Sequence, residues 1–211
     1  MADRGVFITF EGMDGCGKTT QMRRLARRLR KQDHTVLENA EPGGAEIGLQ
    51  IRKILLDSAN HELSPTAELL LYFASRAQNV DQRILPALAQ GTIVLSDRFT
   101  DSSLVYQGCG RGLGTETVLT LDRIACRGLK PDLTLLIDID LDTSLSRAQA
   151  RNRRGNRTDR MEEQAAAFYE KVRDAYLALA AQESHRFRII DGRADKDLVA
   201  RQIWKVVSAY V

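Results

Sequence analysis

The chain has 211 residues, a length that predicts a single domain over residues 1–211 with a well-developed core. Its formal net charge is only +3, so bulk charge gives no reason to expect nucleic acid as a partner. No apolar stretch is long enough to predict a membrane span, and the first residues do not have the pattern of a signal peptide. The three cysteines lack metal-ligand spacing, which favours a reducing, cytoplasmic setting.

Short apolar runs rich in β-branched residues alternate with helical patterns along the whole chain. The runs predict five strands, Val6–Phe10, Thr35–Glu38, Thr92–Ser96, Leu133–Ile139 and Phe187–Ile190. Apolar residues recur at helical spacing between and after them, in four groups: Met22, Leu25, Ala26 and Leu29; Ile47, Ile51, Ile54 and Leu55; Phe168, Val172, Ala175 and Leu179; Val199, Ile203, Val206, Val207 and Tyr210. This alternation predicts an α/β fold, a five-stranded parallel sheet with helices on both faces and its ligands at the carboxyl edge.

The first strand is followed by a glycine-rich segment that fits the Gly-x-x-x-x-Gly-Lys-Thr pattern of a phosphate-binding loop, or P-loop. Its glycines allow the backbone to turn so that successive N–H groups point at phosphates, and the helix after it adds the positive end of its dipole. A strand before the loop and a helix after it are the context that the motif requires, so we predict the fold of P-loop NTP hydrolases. The candidate ATP-binding residues are Gly12, Met13, Asp14, Gly15, Cys16, Gly17, Lys18, Thr19 and Thr20.

A carboxylate and a guanidinium end the third predicted strand, at Asp97 and Arg98. Beside a phosphate loop, Asp97 can hold Mg²⁺ through water, and Arg98 can contact a phosphate with two N–H groups. The hydroxyl of Thr19 is the second candidate metal ligand. The alternative interpretation is an ion pair that only stabilises the end of the strand.

An arginine-rich segment follows the fourth predicted strand, with five arginines within residues 151–160. Such a segment cannot be core, and its charges repel one another unless an anion lies between them. It predicts a lid, over about residues 147–160, that closes on a triphosphate and stabilises the transferring phosphoryl group. The candidate catalytic arginines are Arg151, Arg153 and Arg154. A solvated basic loop and a nucleic-acid patch remain open as alternatives.

Two further segments contain groups that could bind a flat base. Tyr72 and Phe73 precede Arg76 by about one helical turn, and an aromatic face with a guanidinium can hold a base. Gln107, before a glycine-rich stretch, can both donate to and accept from a base edge. Each pattern alone is also what a plain core helix or a flexible surface loop would show.

Together these segments resemble the thymidylate kinase family. The similar stretches extend through nearly the whole chain: Phe10–Thr20, Glu41–Gly44, Ser75–Gln78, Asp97–Phe99, Ser102–Ser103, Tyr106–Gly108, Pro131–Thr134 and Asp159–Glu162. The resemblance implies phosphoryl transfer from MgATP to dTMP, giving ADP and dTDP, by an enzyme that forms a homodimer. Because the phosphate loop lacks an arginine and the predicted lid is rich in them, the arrangement is similar to the bacterial type.

The resemblance also implies roles at matching positions. Lys18 and Arg98 look like catalytic residues, with Arg98 on the dTMP phosphate and Asp14 near the dTMP sugar and phosphate. Arg76, Gln107 and Ser103 look like readers of the thymine edge. Tyr72 occupies the position of a stacking phenylalanine, and Tyr106 the position that excludes a ribose 2′-hydroxyl.

The sequence departs from the family pattern around Glu41–Gly44. The family commonly has Arg before and Thr after this stretch, where this chain has Ala40 and Ala45, so we assign no role to those two positions.

A regulatory GTPase would need an Asn-Lys-x-Asp guanine-binding motif, which is absent, and an Asp-Glu strand end typical of nucleic-acid-stimulated ATPases is also absent. A kinase of another nucleotide or of a nucleoside is the nearest alternative that remains.

Overall fold

The structure is a computed structural model, and it is described for residues 4–155 and 165–211, without the side chains of residues 148, 149 and 151–155. Five parallel strands form one sheet in the order β2-β3-β1-β4-β5. They are β1 (Phe7–Glu11), β2 (Val36–Ala40), β3 (Ile93–Asp97), β4 (Leu133–Asp138) and β5 (Phe187–Asp191). The predicted fold class is therefore confirmed.

The helices lie between the strands and after the last one. They are α1 (Lys18–Arg30), α2 (Glu46–Leu56), α3 (Pro65–Asn79), α4 (Leu85–Ala89), α5 (Thr100–Ser103), α6 (Thr115–Cys126), α7 (Leu141–Gly155), α8 (Ala166–Gln182) and α9 (Lys196–Val207). A 3₁₀ turn spans Ser58–Asn60, and π-helical segments at Val80–Ile84 and Leu104–Gly110 continue α3 into α4 and extend α5. Within the described ranges, no helix combines the length and apolar character needed to cross a bilayer.

The sheet is covered on both faces by apolar clusters. One cluster joins it to α1, α8 and α9, through residues such as Leu25, Val172 and Ile203. The other joins it to α3, α4 and α6, through residues such as Phe73, Leu88 and Val118. In β1, Phe7 belongs to the second cluster, whereas Ile8 and Phe10 belong to the first, as expected of a strand that is buried on both sides.

Four strands, β1, β2, β3 and β5, end beyond the prediction, and β4 ends one residue before it. The last residues of these four strands, which the predicted apolar runs do not include, are Glu11, Ala40, Asp97 and Asp191. Asp97 nevertheless pairs with Phe10 in the ladder, and Asp191 pairs with Asp138. The ladder bonds are made by the backbone, so a polar side chain does not end a strand. The consequence is a row of carboxylates at the carboxyl edge of the sheet.

Two predicted helix faces differ from the structure. On α2, Leu55 is fully buried, but Ile47 and Ile54 are about half exposed, so that stripe is only partly covered. On α8, Val172 is buried as predicted, but Phe168 is only half-buried and the buried face includes Tyr169 and Tyr176 instead. The stripe predicted for α8 contains no tyrosine, although a tyrosine ring packs in a core when its hydroxyl has a partner.

Candidate active site

The phosphate loop connects β1 to α1 at the carboxyl edge of the sheet. Gly17 caps α1 in the left-handed conformation, with φ of 98°. Met13 and Cys16 are each 3% exposed, so these two residues can serve a ligand only through their backbone. The Lys18 Nζ donates to the carbonyl oxygens of Gly12 and Met13, 2.9 Å from each. The ammonium group therefore lies against the loop, where phosphates would bind.

The two candidate metal ligands are brought together by α1 and β3. The Thr19 hydroxyl donates to a carboxylate oxygen of Asp97. Both groups present hard oxygen atoms, which Mg²⁺ prefers, so the donor set fits this ion. No group of three or more His, Cys, Asp or Glu side chains that could hold a metal occurs among residues 4–155 and 165–211. Phosphate oxygens and water would have to complete the coordination.

A cleft opens beside the phosphate loop, and most of its lining side chains are polar or charged. All seven residues that the sequence proposes for dTMP line it: Asp14, Tyr72, Arg76, Arg98, Ser103, Tyr106 and Gln107. They come from the phosphate loop, α3, the end of β3, α5 and the π-helical segment after α5. The fold therefore brings together positions that are far apart along the chain.

Arg98 occupies one end of the cleft and also contacts the phosphate loop. Its Nη2 donates to Asp14 at 2.8 Å, and its Nη1 donates to Ser102 at 3.0 Å and to the Gly12 carbonyl oxygen at 3.3 Å. Its backbone φ is +73°, a conformation that side chains other than glycine rarely adopt. Strain of this kind is typical of functional positions, because the surrounding contacts must hold it in place.

Arg76 lies deeper in the cleft and is only 2% exposed. Its Nε donates to Glu41 at 2.5 Å, and its Nη2 donates to Ser103 at 3.1 Å and to the Phe99 carbonyl oxygen at 3.2 Å. The Arg76 Nη1 is buried and has no hydrogen-bond partner in the part of the chain that the structure describes. Because a buried donor without a partner is costly, this atom indicates where a ligand acceptor would bind.

The two neighbouring aromatic residues of α3 have different environments. Tyr72 lines the cleft, whereas Phe73 is 3% exposed and belongs to the core under α3. The Arg76 guanidinium lies 4.6 Å from the centre of the Phe73 ring, which supports it from below. The proposed base-binding aromatic is therefore Tyr72 rather than the pair.

Several residues around the cleft were missed by sequence reasoning. Arg52 and Leu56 of α2 also line it, and Arg52 donates to the Pro42 carbonyl oxygen at 2.8 Å. An arginine inside the apolar stripe of α2, close after the Glu41–Gly44 stretch, was the available signal. Glu41 received no role either, although its carboxylate is buried and holds both Arg76 and, at 2.9 Å, Asn79.

A second set of missed residues lies beneath Arg98. The buried Glu11 carboxylate accepts from the Phe99 N–H at 2.8 Å, the Ser102 hydroxyl at 2.6 Å and the Tyr176 hydroxyl at 2.8 Å. Burial, and after it repulsion from Asp101, raises the pKa of Glu11 from 4.5 to about 7. These groups connect β1, α5 and α8 under the arginine that faces the cleft.

The predicted lid is only partly described. Arg147 of α7 donates to the Gly192 carbonyl oxygen, 3.2 Å away, in the turn between β5 and α9. Arg151, Arg153 and Arg154 belong to the last turns of α7, but their side chains, together with residues 156–164, lie outside the described part.

Comparison with known proteins gives a consistent result. The sequence profile of thymidylate kinase matches residues 10–203. The chain belongs to the thymidylate kinase family. It is 49% identical to the thymidylate kinase of Geobacter sulfurreducens, with 96% of each chain aligned, and 52% identical to that of Geotalea uraniireducens, with 89% of each aligned. The crystal structure of thymidylate kinase from Ehrlichia chaffeensis matches with a TM-score of 0.78 and 32% identity, covering 97% of this chain and 99% of that one.

Membership of the thymidylate kinase family makes this chain an ATP-dependent nucleoside monophosphate kinase. It also accounts for a phosphate loop lying directly beside a cleft, because such an enzyme must bind two nucleotides end to end.

Proposed function

We propose that this chain transfers the γ-phosphoryl group of ATP to the phosphate of dTMP, giving ADP and dTDP, with the cleft as the dTMP site. The observation that supports this most strongly is the position of Arg98, which lines the cleft and also bonds to Gly12 and Asp14 of the phosphate loop. A guanidinium at that junction can hold the acceptor phosphate next to the donor phosphates.

At the acceptor site, Arg98 binds the phosphate, and Asp14 orients Arg98 and faces the sugar. Arg76 Nη1, Ser103 and Gln107 bind the edge of the thymine ring, and Tyr72 stacks on its face. Tyr106 closes the side of the sugar that a ribose 2′-hydroxyl would occupy. The burial of Arg76 and its bond to Glu41 support its role in binding the base, because they fix the position of its side chain before a ligand binds.

At the donor site, the backbone N–H groups of Gly12–Thr20 surround the ATP phosphates, and Lys18 binds their outer oxygens. Thr19 and Asp97 would hold Mg²⁺, which neutralises charge on the ATP phosphates when it is bound. A dTMP phosphate oxygen attacks the γ-phosphorus as the bond to the β–γ bridging oxygen breaks, so ADP leaves with that oxygen. The acceptor is already an anion, so no strong base is needed, and Arg151, Arg153 or Arg154 stabilises the charge that develops.

We also propose a homodimer that forms through the helical layer of α2, α3 and α6. In this layer α3 packs against both α2 and α6. Six large apolar side chains of these helices are more than a third exposed, a pattern that favours a protein partner: Ile47, Leu49, Ile54, Leu70, Leu119 and Ile124.

A cytoplasmic location and a single domain with a lid over about residues 147–160 complete the proposal. The free thiols of Cys16, Cys109 and Cys126 agree with a reducing compartment.

The role of Arg76 can be tested with Arg76→Lys. The lysine ammonium can still pair with the buried Glu41, but it cannot also present the free N–H that Nη1 provides. We expect the KM for dTMP to rise about tenfold or more, while the KM for ATP changes by less than about twofold. Steady-state kinetics with each substrate varied in turn would measure both values.

The control is Arg123→Lys, the same substitution at an exposed position of α6 that does not line the cleft. Arg52 would not serve as a control position, because it lines the cleft. A larger increase in the KM for ATP than in the KM for dTMP would contradict the assignment of Arg76 to the base.

A further inference from the structure

A buried carboxylate lies behind the proposed base-binding residue Gln107. Glu68 of α3 is 0% exposed, and Gln107 is 2% exposed. The Gln107 Nε2 donates to Glu68 Oε1 at 3.0 Å. Arg111 donates to the same carboxylate through Nε at 3.3 Å and Nη2 at 3.2 Å. Glu68 therefore has a positive partner, and it contacts Gln107, which lines the cleft, without being one of the lining residues itself.

This contact determines which end of the Gln107 amide faces the ligand. A carboxylate paired with a guanidinium can only accept hydrogen bonds, so the amide must present its nitrogen to Glu68. The opposite orientation would place two oxygen atoms with negative charge against each other in a buried site. The amide oxygen is left for the cleft, and no described residue donates a hydrogen bond to it in the structure.

The pyrimidine bases differ at the atom that such an oxygen would meet. Thymine and uracil have a donor at N3, flanked by carbonyl acceptors, whereas cytosine has an acceptor at N3 and an amino group beside it. A fixed acceptor on the protein therefore favours thymine and uracil and rejects cytosine, because cytosine would leave two acceptors facing each other without a proton.

We propose that Glu68 is a positioning residue that fixes the Gln107 amide with its oxygen toward the base, and that it thereby sets the preference for pyrimidines with an N3 proton over cytosine. The inference rests on the proposed function, in which Gln107 contacts the base edge. Glu68 does not contact substrate, and it acts only through the amide that it orients.

The decisive variant is Glu68→Gln, which keeps the shape of the side chain but can present either a donor or an acceptor to Gln107. The Gln107 amide is then free to rotate and offer its nitrogen to N3 of cytosine. We expect the ratio of kcat/KM for dTMP to kcat/KM for dCMP to fall about tenfold or more. The ratio for dTMP to dUMP should stay within about twofold, because these two bases share the N3 proton and the O4 acceptor.

The dUMP comparison separates orientation from general damage. A purely structural role for Glu68 would lower turnover with all three substrates by similar factors and leave both ratios unchanged. Glu62→Gln, at an exposed position shortly before α3, is the matched control and should change neither ratio. Gln107→Met tests the underlying assignment separately, because it should raise the KM for dTMP even if Glu68 has no orienting role.

A swapped double variant, Glu68→Gln with Gln107→Glu, guards against poor folding of the single variant. It retains one carboxylate and one amide in the buried pair, and the carboxylate again offers an acceptor to the cleft. We expect it to recover the preference for dTMP over dCMP that Glu68→Gln loses.

Three results would overturn the inference. The first is a folded Glu68→Gln enzyme with unchanged ratios, while Gln107→Met weakens dTMP binding. The second is a folded double variant without preference for dTMP, and the third is failure of both Glu68 variants to fold, which would make the pair a requirement for stability. If Gln107→Met has no effect on the KM for dTMP, the base-site assignment itself is wrong.

Discussion

At the residue scale, the site is built from buried and half-buried charged groups held by partners of opposite charge or by hydrogen-bond donors. Arg76 is held by Glu41, Arg98 by Asp14, and Glu68 by Arg111, and the first two arginines also line the cleft. A buried charge is tolerable only when such partners are present, so the network fixes each side chain before a ligand binds. The protein therefore does not have to order these groups during binding.

Glu11 should make the free energy of unfolding depend on pH. Its pKa is about 7 in the folded protein because burial disfavours the ionised form and Asp101 repels it, while Arg98, Ser102 and Tyr176 favour it. The folded chain therefore binds this proton more tightly than the unfolded chain, whose value is near 4.5. The favourable contribution is complete below about pH 4.5 and is lost as the pH rises toward 7, by about 3 kcal/mol in total.

Glu11→Gln removes that titration. We expect the free energy of unfolding of the wild type, minus that of the variant, to fall between about pH 5 and 7 and to level off above 7. Urea unfolding across this range would measure it. Parallel stability curves for the two proteins would show that Glu11 does not titrate in this way.

At the element scale, the loops after the strands position the site, and their packing is tight. Gly44, between β2 and α2, has a φ of +79°, and a Cβ there would lie 2.2 Å from Asn79 Oδ1 and 2.6 Å from Asn39 Oδ1. Gly112 has a similar φ of +73°, but a Cβ there would meet no described atom within 4 Å. An alanine at Gly112 would therefore have only an unfavourable backbone conformation, whereas an alanine at Gly44 would also overlap neighbouring atoms.

We expect Gly112→Ala to lower the free energy of unfolding by about 1 kcal/mol, the cost of a positive φ alone. Gly44→Ala should lower it by about 3 kcal/mol or more, because the two amide groups must also move. Denaturant unfolding of the two variants would measure the difference. Equal losses would mean that the Gly44 loop is not packed as the structure shows.

Some elements of the fold and of the site could be predicted from the sequence, and others could not. The alternation of strands and helices was predictable, because apolar periodicity depends on burial alone. The P-loop and the Asp97–Arg98 strand end were predictable as motifs, since backbone geometry and residue type coincide there. The roles of Glu11, Glu41, Glu68 and Tyr176 were not, because a buried carboxylate or hydroxyl is understood only once its distant partner is known.

At the scale of the whole molecule, the exposed apolar side chains of α2, α3 and α6 lead to a prediction about assembly. Ile124 is 73% exposed on α6, and a charge there would oppose burial of this surface in a homodimer. We expect wild-type protein to sediment as a dimer and Ile124→Glu to shift toward monomer. Leu198→Glu, on the exposed face of α9, should remain dimeric. Wild-type protein that is monomeric at micromolar concentration would contradict the proposed dimer.

The central claim concerns the whole enzyme, because it requires the phosphate loop and the cleft to act on two nucleotides together. We would first measure ADP release from MgATP with dTMP, dUMP, dCMP, dGMP, AMP, UMP, thymidine or no acceptor, using Lys18→Ala as the inactive reference. We predict strong turnover with dTMP, weak turnover with dUMP, little with the others, and a loss of at least about 100-fold in the folded Lys18→Ala variant. ATP hydrolysis at the same rate with every acceptor, or normal turnover by Lys18→Ala, would contradict this account of the site.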